Sequence, residues 1–106
     1  MGLQRTIRFP ANGGPTWPAI VAAMAERGLP IALRMIDNLP AFPDEVPPDN
    51  WKDLRLGFDA GMVTLRRTNA TEWSVIIWGN SDPNLVTAWE QCIAAIAESG
   101  TGSISE

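Results

Sequence analysis

The chain has 106 residues, 45% of them apolar and 19% charged, with nine glycines, nine prolines and a formal charge of −4. That balance describes one compact globular unit, able to bury roughly two-thirds of the surface its unfolded chain exposes. No run of about 18 apolar residues exists to span a bilayer, and prolines and charges fill the region where an export signal needs an apolar stretch, so a cytoplasmic protein with no membrane partner is expected.

Absent residue types narrow the chemistry further. Without histidine the chain lacks the usual general base near neutral pH, every imidazole triad and the commonest metal ligand. The single cysteine, Cys92, can form no intramolecular disulfide and no zinc site by itself. No glycine-rich phosphate loop is present: Ala11-Asn12-Gly13-Gly14-Pro15 matches no such spacing and reads as a turn. Asp44, Glu45, Asp49 and Asp53 form the one carboxylate cluster, and their spacing fits no calcium loop. No catalytic residue, metal site or cofactor is assigned, and the chain is read as non-catalytic on its own.

In chain order, residues 3–9 alternate, with Leu3, Ile7 and Phe9 on one parity and Gln4, Thr6 and Arg8 on the other, the period of a half-buried strand. Thr16 can cap a helix that accepts Trp17 and Pro18 in its first turn, carries Ile20, Val21 and Met24 on one stripe, and stops at Gly28 and Pro30. Residues 31–36 read as a second strand. From Asn38 to Lys52 four prolines interrupt three acids and three large apolar residues, Phe42, Val46 and Trp51, which predicts a long loop packed onto something.

Asp53–Phe58, Met62–Arg67 and Trp73–Trp78 follow at short intervals and read as an antiparallel meander. Residues directly opposite must share a face. Pairing Phe58 with Val63 and Leu65 with Val75 puts the aliphatic residues on one face, sets Arg67 against Trp73, and sets Arg55 against Arg66 on the other. A last helix begins at Ser81 or Asp82 with Pro83 in its first turn. Its stripe is Leu85, Val86, Trp89, Cys92, Ile93 and Ile96, with Gly100 ending it. Residues 101–106, small and polar, are expected to be a disordered tail.

The reading is an α+β two-layer sandwich in a single domain of residues 1–100, with a mixed sheet of about five strands and both helices on one face. A parallel pairing of the first two strands would cross right-handed through the first helix. Trp17 and Trp89 are then core or near-core rather than ligand contacts.

The same register decides what stands on the helix-free face. Arg34, Arg55 and Arg66 fall there with Met62, Ile76 and Trp78, whereas the last helix carries only acids. Like charges across an antiparallel pair destabilise it, so something should compensate Arg55 and Arg66. One answer is the loop 38–52 folding back, with its acids on the arginines and with Phe42, Val46 or Trp51 over the apolar residues. A second is another protein, a partner or a second copy, since tryptophan, methionine and arginine are enriched at interface cores. A third, less favoured, is a small anion or single-stranded nucleic acid, phosphates on the arginines and a base on Trp78. The function expected is a protein-interaction module, self-associating or bound to a partner, that uses this face together with the proline-rich loop.

Overall fold

The computed structural model describes residues 2–11, 13–78 and 82–105. It is α+β, with seven strands and two helices in the order β1 (Leu3–Arg8), α1 (Trp17–Glu26), β2 (Ala32–Ile36), β3 (Leu39–Pro40), β4 (Asp53–Phe58), β5 (Gly61–Asn69), β6 (Glu72–Ile77), α2 (Pro83–Gly100) and β7 (Ser103–Ser105). The strands form one open sheet in the order β3-β2-β4-β5-β6-β1-β7, every neighbouring pair antiparallel.

Four expectations are corrected by this topology. The sheet is antiparallel rather than mixed and has seven strands rather than about five. β1 and β2 do run the same way, as four successive antiparallel steps require, but three strands separate them. β1 instead lies between β6 and β7, so the segment predicted to be a disordered tail adds an edge strand, with Ile7 opposite Ile104. The path into it is set by the end of α2. Thr101 takes the left-handed conformation (φ 57°), its N–H donates to the Glu98 carbonyl, and Gly102 N–H reaches back to Ala97 O at 2.7 Å, a Schellman closure. At the other end Asp82 caps α2, accepting from Asn84 N–H at 2.7 Å; the alternative cap Ser81 lies outside the described residues.

Both helices pack against each other and share one core with the inward parity of the strands: Ile7, Leu33, Ile36, Leu54, Leu56, Val63, Leu65, Trp73, Val75 and Ile77. Ile20 and Met24 enter it from α1, and Leu85, Trp89, Cys92, Ile93 and Ile96 from α2. Trp89 is buried and its indole N–H donates to Val75 O at 3.0 Å, which satisfies the ring's polar edge inside the core. Arg27 ties the helices at their rim, donating to Gln91 and Glu98.

The long connection does not cross the outer face of the sheet, which corrects the idea of a loop folded back over the arginines. Its first residues turn tightly through Asp37 and Asn38, both at positive φ (49° and 68°), the signature of a type I′ hairpin that puts Leu39 opposite Ile36. The chain then runs along α1, and Trp51 plunges into the helix-side core, edge-on to Trp73 with centroids 5.0 Å apart. Arg67, inward on β5, lays its guanidinium 4.1 Å from the Trp51 centroid and donates to Asp49 O at 2.8 Å. Burial lowers the pKa of Arg67, while the charges of Asp37 and Asp49 act to raise it.

The Asp37 carboxylate accepts from the backbone N–H groups of Lys52 and Asp53 at 2.8 and 2.9 Å, clasping the two ends of the loop. Those two hydrogen bonds, with the charges of Lys52 and Arg67, hold its pKa below the ordinary value near 3.8 against a smaller opposing effect of burial. A depressed carboxylate stabilises the fold fully above its unfolded pKa and loses that contribution as pH falls through the folded one. The stability difference between the wild type and Asp37→Asn, followed by urea unfolding, is therefore expected to shrink as pH drops below about 4; a difference independent of pH would contradict this role. Trp51→Ala should cost about 3 to 5 kcal/mol in the same assay and expose residues 41–50 to hydrogen exchange. Phe42→Ala, at an exposed position, should stay within about 0.5 kcal/mol of the wild type.

Candidate interaction face

Six of the inferred residues meet on the helix-free side, and the pairing shows how. Across the sheet one outward row reads Met35, Arg55, Thr64, Ile76, Gln4, and the next reads Asp53, Arg66, Ser74, Thr6, Ser105. Met62 stands opposite Gly57, and the β5–β6 register continued by two residues places Trp78 across from Met62. Arg34 reaches the same side because the β2–β4 pairing shifts between Leu33 and Met35, and its side chain lies over Gly57. A Cβ on Gly57 would come within 3.1 Å of Arg34 Cγ, so the missing side chain makes room for the guanidinium stem.

The β5–β6 register is the expected one, with Leu65 opposite Val75 and Arg67 opposite Trp73, whereas the β4–β5 register differs from the expected one by two residues. Phe58 pairs with Gly61, not Val63, through the two-residue connection Asp59-Ala60, and Leu56 pairs with Val63. An even shift keeps every side chain on its face. It changes the neighbours, however: Arg66 stands opposite Asp53, its Nε 2.9 Å from Oδ2, and Arg55 stands opposite Thr64. The predicted clash of Arg55 with Arg66 is thus replaced by an ion pair and a neutral contact, the arrangement cross-strand electrostatics favours.

Ile76 is on the outer face but only 3% exposed, so it is floor rather than contact surface. Its neighbours Thr64 and Ser74 are buried too, Thr64 accepting from the Trp78 indole N–H at 3.2 Å and Ser74 from Gln4 at 3.2 Å. Trp51 belongs to the opposite layer, under the inward Arg67, and Phe42 is exposed on the loop whose next residues, Pro43–Val46, lie beside α1. The face and the proline-rich loop are therefore two surfaces, where the sequence reading makes them one.

What remains exposed on the face is Trp78 at 58% and Met62 at 48%, with the arginines around them. Between Arg34, Gly57, Met62 and the β4–β5 turn lies an open hollow of about 380 Å³, with Asp59 on its rim. Of the four outward arginines, Arg66 pairs with Asp53 and Arg8 with Glu72 at 3.2 Å. Among the described residues Arg34 and Arg55 have no ion pair, and Arg55 Nε, shielded from solvent, has no hydrogen-bond acceptor. A buried donor left unmatched costs free energy on the order of 1 to 3 kcal/mol.

No group of three or more potential metal-ligating side chains occurs among the described residues, and no helix among them is long and apolar enough to cross a membrane. Gly14 lies against the Trp73 ring, where a side chain would collide, so it is a packing device in the β1–α1 connection. No family model, curated protein or solved structure matches the chain.

Cys92 is fully enclosed, and burial pushes its thiol up to about 12. It should resist Ellman's reagent at pH 8 until denaturant opens the core; stoichiometric labelling within seconds of mixing under native conditions would refute that placement.

Proposed function

We propose that the chain is a non-catalytic protein-interaction module whose helix-free sheet face receives an acidic protein segment carrying apolar side chains. The observation that supports this most directly is the pair Arg34 and Arg55, which have no carboxylate partner among the described residues although the chain as a whole carries an excess of acids. An arriving carboxylate would give Arg34 and Arg55 the charge partner they lack, and charge-assisted hydrogen bonds to a guanidinium are among the stronger polar contacts. Met62, Trp78 and the hollow at Gly57 offer an apolar neighbour for the same segment. Tryptophan and arginine side by side are the residue types that dominate binding energy at protein interfaces.

Two copies meeting face to face would set unpaired guanidinium groups against one another, which disfavours that form of self-association. Nucleic acid is a weaker reading. A net charge of −4 repels a polyanion, and Asp53, Asp59 and Glu72 lie among the outward arginines.

The test is a titration of ¹⁵N-labelled protein at low salt with an acetylated peptide of alternating glutamate and leucine, and with its glutamine counterpart as control. Shifts are expected at Arg34, Arg55, Gly57 and Met62 with the glutamate peptide only, and Arg55→Ala should weaken binding about tenfold. Equal response to the glutamine peptide, or shifts centred on α2, would defeat the proposal. Tighter binding of oligothymidylate at the same residues would hand the face to nucleic acid instead.

A further inference from the structure

We infer that the acidic segment is the Phe42–Val46 turn of a second copy of this chain; the inference rests on the reading of the sheet face just given. The turn is closed on itself, Glu45 N–H donating to Phe42 O at 3.0 Å and Phe42 N–H to Glu45 Oε1 at 3.2 Å. It presents Phe42 at 75% and Val46 at 67% exposure, the first the most exposed large apolar side chain among the described residues. Asp44 between them is exposed and has no ion pair among the described residues. Apolar, acidic and preshaped, the turn has the chemistry that Arg34, Arg55, Met62 and the Gly57 hollow lack around them.

Its anchoring favours binding as well. Pro43, Pro47 and Pro48 restrict the backbone, Leu33 N–H donates to Pro43 O at 3.2 Å, and buried Trp51 fixes the far end. A segment already held in its bound shape loses little conformational entropy on docking.

Position singles out a second copy rather than the turn's own sheet. Within one molecule Pro43–Val46 lines a groove against Trp17 and Val21 of α1, on the helix layer and away from the hollow. Yet the turn starts next to Arg34, whose carbonyl accepts from Ala41 N–H at 3.0 Å. Turn and hollow therefore lie near the same edge of the sheet, and a twofold axis beside that edge lets each copy place its turn on the other's arginines. Such an exchange closes at two copies, without the filament that a head-to-tail contact produces.

Sedimentation equilibrium of the full chain from about 10 µM to 1 mM tests this, a range that suits a small, partly charged interface. A monomer–dimer equilibrium is expected, weakened about tenfold at high salt. Arg34→Glu and Asp44→Arg alter exposed positions, so circular dichroism should find both folded, and each alone should be monomeric throughout the range. Mixed one to one they should dimerise, because each reversed charge then meets its complement. A wild type that stays monomeric, a dimer indifferent to Arg34→Glu, or a mixture that remains monomeric would overturn the inference. If the glutamate–leucine peptide still binds in that event, the acidic partner is a different protein; if it does not, the reading of the face fails as well.

Discussion

Paired residues on adjacent strands must stand on the same side of a sheet, and in this protein that rule links the core to the surface chemistry. Ile36, Leu54, Leu65 and Val75 form one inward row across β2, β4, β5 and β6. Once that row is buried against the helices, the intervening residues Arg55, Thr64, Arg66, Ser74 and Ile76 have only the outer side to occupy. The arginines are there because the leucines are inside. A slip of one residue in any of these pairings would invert both layers at once, which is why the hydrophobic effect acting on the inward set also holds the outward set in place.

This explains which parts of the fold were legible in sequence. Alternation identified β4, β5 and β6 and their inward parity, and the 3.6-residue stripe identified both helices. The β4–β5 register could be settled only to within an even shift, because pairing Leu56 with Val63 or with Leu65 buries the same side chains. What separates the two is the tighter Asp59-Ala60 connection and the Asp53–Arg66 pair, terms far smaller than the burial they accompany. The place of β1 was not readable, since alternation shows that a strand exists but not which neighbour it takes. Ser103–Ser105 gives no pattern at all; its strand depends on the free edge that β1 offers. Asp37-Asn38 did carry a signal, as a residue pair suited to positive φ between two apolar residues, and it marks a hairpin inside what otherwise reads as loop.

The loop shows a different limit. A buried tryptophan in a proline-rich stretch was a sound reason to expect packing, but nothing local says against which layer. The deciding partner is Arg67, which the register already placed inward beside Trp73. A cation facing the core needs compensation, and here it is provided by the Trp51 and Trp73 rings, by the Asp49 carbonyl and by two nearby carboxylates. The loop therefore goes to the helix side because that is where its tryptophan meets an inward arginine. Among the described residues the loop leaves the outer face uncrossed.

That the loop does not cross the outer face gives the outward charges their meaning. Where stability alone governs, an outward arginine gains from an acid directly across, as Arg66 does from Asp53 and Arg8 from Glu72. Arg55 has Thr64 on one side and Met35 on the other, and neither offers a carboxylate. Arg34 extends over a glycine. The same face hides its aliphatic residue, Ile76, beneath its neighbours while leaving Met62 and Trp78 about half exposed. A surface adjusted only for solubility would tend toward the opposite arrangement, with charges matched and large apolar groups covered. On the proposed reading, the guanidinium groups of Arg34 and Arg55 and the half-exposed Met62 and Trp78 belong together as one side of a contact whose other side carries carboxylates.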